Sequence, residues 1–536
     1  MSRIDRDAHL RKLGEETFDL LVIGGGATGA GVALDAASRG LKVAMVERDD
    51  FSAGTSSRST KLIHGGVRYL EKAVKQFDRS QFALVRDALR ERAMLIKIAP
   101  HLAKPIPLVT PLYNWLQVPY FMTGLKMYDW LAGKTNLHPS RFVDAKEALE
   151  RFPMLKPDGL RGGVVYYDGQ FDDARMNVAI AVTAAEQGAV VANHVEVASL
   201  VMADGKVRGA VVRDLETDRE TEVRARVVVN ATGPFTDAIR RMEDPSVKPM
   251  LTASSGIHVV LDKRFSPPET GLLIPETEDG RVLFLLPWLG HTLVGTTDNP
   301  AEIEYHPKAH EDEIEYVLRH VRQYFSMPVT REDVLSSWSG LRPLVSNPEA
   351  ADTAGLSRDH LVNISEGELV TIAGGKWTTY RKMAIDAVDQ AMRVGGLQAG
   401  PSRTSELYLM GGEAYSSAGA GELQERFGID HDVASHLNRA YGDRAARVAE
   451  LARDEDLGAR LAESHAFIEA EVIHTAREEL ARTSVDVLAR RTRLGFLDRD
   501  AAISALPRVS ELLAGELGWD DARATGDRAD AMAYLV

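Results

Sequence analysis

Three glycines constrain this chain more than anything else in its 536 residues. Gly24, Gly26 and Gly29 directly follow a β-rich run at 18–23, and an alanine-rich helical stretch opens behind them and runs to Ser38. After a stop at Gly40, a second β-rich run at 41–46 ends in Glu47. These local signals read as a strand–helix–strand unit. In such a unit the first glycine allows a tight turn, the second lets a pyrophosphate approach the backbone, and the third lets helix and strand pack closely. Free amides at the helix start face phosphate. Glu47, 23 residues after Gly24, stands where a carboxylate accepts hydrogen bonds from ribose hydroxyls. A glycine turn without a ligand leaves Glu47 unexplained, so a dinucleotide site is expected.

The glycine pattern serves FAD and NAD alike, because both carry the same ADP half. Two later segments favour flavin. Residues 227–230 with Ala231, Thr232 and Gly233 form a buried strand ending in a small-residue turn, suited to close approach beneath a large cofactor. Residues 369–372, followed by Gly374, Gly375, Lys376 and Thr378, read as a strand, a glycine pair and a helix start, a second nest for a polar ring edge. A chain that returns to its nucleotide fold beyond residue 360 wraps a tightly held prosthetic group. There is no cysteine, which excludes disulfides, cysteine-ligated zinc, iron–sulfur clusters, thiol nucleophiles and flavin attached through Cys. Noncovalent FAD is the expected electron carrier, and no metal site is expected. A formal net charge of −14 argues against a nucleic-acid partner.

Further strands are expected at 190–201, 207–213, 226–230, 256–261, 282–286 and 292–295, alternating with helices to about residue 395. Residues 395–402, rich in glycine and ending in Pro401 and Ser402, have linker character. Beyond them, 401–536 carry 25 acidic residues and 16 arginines but no lysine, so most of the negative charge lies there. Runs at 446–461, 467–480 and 483–494 have helical spacing with few β-branched residues, the mark of a helical domain. The first seventeen residues are dense in charge and lack the apolar core of a secretory signal, which favours a cytoplasmic location. An uncharged run at 105–125 is long enough to cross a bilayer, but Pro105, Pro107, Pro111 and Pro119 would break a spanning helix. Tyr113, Trp115, Tyr120, Phe121, Met122, Tyr128 and Trp130 then concentrate apolar surface, as in an element lying in a membrane interface or in a packed apolar lobe.

Longer words in the sequence carry a family resemblance. They are Ile23-Gly-Gly-Gly-Ala-Thr-Gly29, Thr55-Ser-Ser-Arg-Ser-Thr-Lys61-Leu-Ile-His64-Gly-Gly-Val-Arg68-Tyr69-Leu-Glu71, Asn230-Ala-Thr-Gly233-Pro234, Gly295-Thr-Thr-Asp298, Ser339-Gly-Leu-Arg342-Pro343, Ser357-Arg358-Asp359 and Gly374-Gly-Lys376-Trp-Thr-Thr379-Tyr-Arg381-Lys382. In them the chain resembles the FAD-dependent, quinone-linked glycerol-3-phosphate dehydrogenases, within the D-amino-acid-oxidase-like flavoproteins. The stretch from Glu469 to Leu494, including Arg490, Arg491 and Arg493, resembles the helical domain of the same enzymes, with His474 where a tyrosine is expected. The resemblance implies a Rossmann-like α/β FAD-binding domain (1–100, 160–255 and 355–395), an interleaved antiparallel-sheet substrate domain (101–159 and 256–354) and an all-helical C-terminal domain (401–536). It implies cofactor contacts at Gly24, Gly26, Thr28, Gly29, Glu47, Thr55, Ser56, Lys61, His64, Gly65, Val195, Ala231, Gly233, Gly375, Lys376 and Thr378.

A secondary alcohol bearing a phosphate, such as glycerol 3-phosphate, needs a dianion clamp and a base. Arginine forks suit the phosphate. By family position Arg68, Tyr69, Arg342, Arg358 and Lys376 look like substrate-pocket residues, with Arg342 and Arg358 first for phosphate. Strand alternation at 254–260 aims His258 into the pocket, where its ordinary pKa suits proton removal. Lys376 is the alternative base, or a cation at the flavin edge. The expected acceptor is a membrane quinone reached from a peripheral position on the cytoplasmic face, and a homo-oligomer is compatible with the sequence. An oxidase passing electrons to oxygen, an amine oxidase on the same scaffold, and a flavin-containing scaffold protein are the rival readings.

Overall fold

A computed structural model describes residues 4–66, 79–345 and 360–536. Two sheets and a helical C-terminal region make up the chain. The first sheet runs in the order His360–Ile364, Val370–Gly374, Arg219–Asn230, Thr17–Ile23, Val43–Val46, Val190–Ala192. The last five of these are parallel to one another. Strands buried on both faces read as apolar runs: Leu20, Val22, Val227 and Val229 meet the helices, whereas Leu21, Ile23 and Val228 pack on the other side. The helix Ala27–Ser38 lies against Tyr380–Gly395 and Asp173–Glu186. Its closeness to the sheet needs glycine, because a Cβ on Gly29 would stand 1.9 Å from the Gly24 carbonyl oxygen.

The expected strand at 190–201 is two strands. Val190–Ala192 ends the parallel sheet, His194 turns with φ 55°, and Val195–Ala203 starts an antiparallel meander with Lys206–Asp214. One straight strand could not run parallel beside Val43–Val46 and also pair antiparallel with Lys206–Asp214 without that break.

The second sheet runs Asn299–Pro300, Leu251–Leu261, His291–Gly295, Leu283–Trp288, Gly271–Ile274, Ala103–Leu112, Gly162–Phe171, Leu62–Ile63, with Val334–Val345 on the far edge of Leu251–Leu261. Leu62–Ile63 and Gly162–Phe171 fall in ranges that sequence had given to the nucleotide domain, yet they pair here. The proline-bearing stretch is the strand Ala103–Leu112 followed by the helix Gln117–Ala132, with Pro119 in its first turn, where a missing N–H costs nothing. Ile257, Val259 and Leu261 face the helix Glu311–Tyr324, which leaves His258 and Val260 on the opposite face.

In the C-terminal region, which also holds the helices Gly419–Phe427, His431–Tyr441, Leu494–Leu497, Arg499–Leu517 and Asp521–Leu535, the helices Ala445–Asp454 and Glu469–Glu478 are shorter than expected, while Asp486–Arg491 is a wide π-type turn rather than an α-helix. Phe496, Leu497 and Val487 share one core with Trp288 and Trp338 of the second sheet. Charge also fastens this region. Asp50, beside the nucleotide site, accepts from Arg490 at 2.8 Å, Arg491 at 2.7 Å and Asn193 at 2.9 Å, all buried. Glu479 takes the Arg175 fork, and Asp486 meets Arg490 and His194. His474 stands buried against Tyr441, and burial pushes its pKa down to about 4, so it is neutral.

Removing one member of a buried ion cluster leaves its partners uncompensated, at a cost of about 3–5 kcal/mol. Asp50→Ala should therefore lower the unfolding free energy from urea titration by that order, whereas Arg477→Ala, whose guanidinium is 30% exposed and whose partner Glu455 is 44% exposed, should cost under about 1 kcal/mol. Equal losses for the two variants would contradict this account of the junction.

Candidate active site

A cavity of about 430 Å³ runs from the glycine turn of the first sheet to the open face of the second. Gly24, Gly26 and Thr28 line one end, with Val195 and Glu196 from the meander and Ala231, Thr232 and Gly233 from the turn after Arg219–Asn230. Gly29 lies beneath, in the helix–strand contact. Glu47 ends its strand here, and its carboxylate accepts from the Gly25 amide at 2.6 Å and the Asp49 amide at 2.9 Å. Burial first, then the charges of Asp49 and Asp50, push its pKa up to about 7. The remaining lone pairs of that carboxylate are free for donors of a sugar type. At the rim Tyr305 stacks on Phe235 at 4.4 Å and under the Arg48 guanidinium at 4.1 Å.

The middle wall is the tight turn Thr55–Ser57. Ser56 Oγ accepts from the Ala27 amide at 2.9 Å, Ser56 O accepts from Trp377 Nε1 at 2.9 Å, and Thr55 Oγ1 donates to Leu341 O at 2.7 Å. Three segments distant in sequence thus meet at one turn. His64, Gly375, Lys376 and Thr378 complete this part of the lining, and Thr378 Oγ1 reaches His64 O at 3.5 Å.

At the far end, pairing of Leu251–Leu261 with Val334–Val345 sets His258 opposite Trp338 and Ser254 opposite Arg342. The His258 ring stacks on Trp338 at 4.2 Å, and its Nε2 lies 3.0 Å from Thr60 Oγ1. Across the neighbouring strand only glycine fits, since a Cβ on Gly295 would stand 2.3 Å from the imidazole Cδ2. Among the described residues Nδ1 of His258 has no hydrogen-bond partner. Burial, reinforced by the positive charges of Lys61 and Arg342, holds the imidazole pKa well below its ordinary value, so the ring is neutral and able to accept a proton. Arg342 is anchored by Thr297 O at 2.8 Å, Ser255 O at 3.1 Å, Thr296 Oγ1 at 3.1 Å and Asp298 at 3.2 Å, and it lines the cavity above Gly256.

Not every expected residue reaches the cavity. Lys61 is buried behind its wall, with its ammonium on Asp173 at 2.8 Å, Ser57 O at 2.9 Å and Ser59 O at 3.0 Å. Gly65 donates its amide to Tyr128 Oη at 2.7 Å and packs on Leu89. Arg68, Tyr69 and Arg358 lie outside the described residues. Thr60, Trp338, Asp173 and Arg493 were not anticipated; only the alternation around His258 hints that a neighbouring strand must supply its ring partner.

The glycine turn, the buried acceptor at Glu47, and the length of cavity between them and His258 fit a flavin dinucleotide. Comparison with known proteins agrees. The family described as "FAD dependent oxidoreductase" matches residues 19–381, and the "C-terminal domain of alpha-glycerophosphate oxidase" matches 402–524. The chain is 51% identical over 530 residues to the mitochondrial glycerol-3-phosphate dehydrogenase of Homo sapiens, covering 96% of this chain and 73% of that protein. It is 50% identical over 544 residues to the Mus musculus protein of the same name, covering 99% and 75%. The glycerol-3-phosphate dehydrogenase of Bacillus halodurans, solved with FAD, superposes with a TM-score of 0.80 at 31% identity, covering 99% of this chain and 97% of the other.

A carboxyl that titrates near 7 accepts well from ribose hydroxyls only when ionised. FAD affinity of the apoprotein should therefore rise about tenfold from pH 6 to pH 8, as one proton leaves Glu47. Flavin-fluorescence titration checks this, and Glu47→Gln should flatten the profile; a wild-type affinity independent of pH refutes it.

Proposed function

The chain belongs to the FAD-dependent oxidoreductases, in the glycerol-3-phosphate dehydrogenase family, and on that premise we propose how its residues oxidise sn-glycerol 3-phosphate to dihydroxyacetone phosphate. The observation that carries the reading is the neutral, buried His258 beside the Arg342 guanidinium, at the end of the cavity opposite the glycine turn. FAD, held by the glycine turn, Glu47 and the Thr55–Ser57 wall, supplies the hydride acceptor and the onward electron carrier when bound.

Arg342 presents a fixed cation to the phosphate dianion, and Lys376 adds a second at the same cavity. Family position adds Arg68, Tyr69 and Arg358 to this clamp. His258 accepts the proton of the C2 hydroxyl as its carbon loses hydride. The depressed pKa leaves the ring unprotonated at neutral pH, and a phosphate dianion on Arg342 offsets one of the charges that lower it, bringing its basicity back toward the working pH. Trp338 and Thr60 keep the imidazole plane from rotating, and the surrounding cations favour the developing oxyanion. Anaerobic mixing with sn-glycerol 3-phosphate should bleach the oxidised flavin absorbance. His258→Gln should slow bleaching about 10²–10⁴-fold with the flavin spectrum intact. Bleaching at the wild-type rate would remove His258 from the chemistry, and none at all in the wild type would remove the substrate.

No helix among the described residues is long and apolar enough to cross a membrane. The helix Gln117–Ala132 instead turns Leu125, Tyr128 and Ala132 inward and leaves Tyr120 50% and Trp130 76% exposed, next to Trp115 at 59% and Leu116 at 80%. Exposed Lys126 and Lys134 flank them. Apolar rings edged by lysine suit the interface of an anionic bilayer. We propose that this face seats the enzyme on the cytoplasmic surface of a membrane, with a quinone of the bilayer as electron acceptor. Trp115→Ser, Tyr120→Ser and Trp130→Ser together should abolish sedimentation with phosphatidylglycerol vesicles while turnover with a soluble dye stays within about twofold; unchanged sedimentation sinks the proposal.

A further inference from the structure

The C-terminal region touches the wall of the cofactor cavity through Tyr534, which accepts from Arg58 at 3.2 Å, and, fully buried, through Arg493. Arg493 follows the wide turn Asp486–Arg491 with a left-handed backbone, φ 68°, a conformation that a non-glycine residue keeps only when its surroundings enforce it. Its fully buried guanidinium donates to Ser57 O at 2.7 Å and Ala489 O at 2.8 Å, lies 3.4 Å from Asp173, and covers the Phe496 ring at 4.5 Å. Lys61, also left-handed at φ 62°, brings its ammonium to the same Ser57 oxygen at 2.9 Å. Two buried cations from opposite ends of the chain converge on one carbonyl, and Asp173 balances both.

That carbonyl belongs to the turn that walls the cavity. Asp173 also takes the Ser59 amide at 2.9 Å and hydroxyl at 2.8 Å, and the next residue, Thr60, meets His258. Resting on the flavoenzyme reading above, we propose that Arg493 is a positioning residue: with Lys61 and Asp173 it clamps residues 55–60, and so governs how tightly FAD is held and how His258 is aimed. It touches neither substrate nor cofactor.

Arg493→Met keeps the apolar stem over Phe496 but loses every donor, and Arg493→Lys keeps a cation. In the full-length protein, Arg493→Met should weaken FAD binding to the apoprotein at least tenfold. At saturating FAD it should lower kcat at least tenfold with KM within about threefold, because the phosphate cations are untouched. Arg493→Lys should restore FAD affinity to within about threefold of wild type, and Arg477→Met should leave it unchanged. Wild-type FAD affinity in folded Arg493→Met overturns the proposal, as does a lysine variant no better than the methionine one. If Arg493→Met does not fold, Lys61→Met should show the same tenfold loss of FAD affinity, and wild-type affinity there overturns the proposal equally. FAD affinity is read without substrate, so its outcome is independent of the glycerol 3-phosphate assignment.

Discussion

The pairing of Leu251–Leu261 with Val334–Val345 fixes the reacting end of the cavity. Side chains on a strand alternate, so one register sets His258 on Trp338 and over Gly295 while Arg342 lies across from Ser254. A slip of one residue would exchange His258 for Ile257 or Val259 and point the site into the apolar layer under the helix Glu311–Tyr324. The same register sets Gly340, under which Arg58 packs, and Leu341, to which Thr55 donates. One ladder of backbone hydrogen bonds thereby ties His258, Arg342 and the Thr55–Ser57 turn into a single geometry.

What could be read from sequence follows the range of the interactions involved. The glycine turn, Glu47 and the parallel strands around them were legible because each rests on local pattern: spacing of glycines, apolar runs, a carboxylate at a strand end. His258 was legible from alternation over seven residues. The partners of Leu62–Ile63 and Gly162–Phe171 were not, since strand pairing a hundred residues apart leaves no local trace. Lys61 was read as a cofactor contact from its motif, but a buried ion pair with Asp173 and a cofactor contact leave the same letter in the same word. The arginines at 490, 491 and 493 were legible only as part of a family resemblance in the helical domain, and helical spacing there concealed a wide turn behind which all three are buried.

Net charge misleads in the same way. The chain is acidic, yet the charges that lower the His258 pKa are Lys61 and Arg342, each of them held in an ion pair, with Asp173 and Asp298. Acidic residues take part chiefly as partners. Asp50, Asp173, Asp298 and Glu479 each neutralise an arginine or lysine beside the cavity or at the domain junction, so the local field is set by pairs rather than by the sum.

The Arg493–Ser57 hydrogen bond spans 436 residues of chain. During synthesis the glycine turn and Glu47 emerge from the ribosome first, followed much later by Val370–Gly374, the strand that extends the parallel sheet, and last by Arg490, Arg491 and Arg493. Contacts this distant in sequence close slowly, and domains that need them wait exposed. The wall of the nucleotide site is therefore complete only once residues from both sides of that span have met.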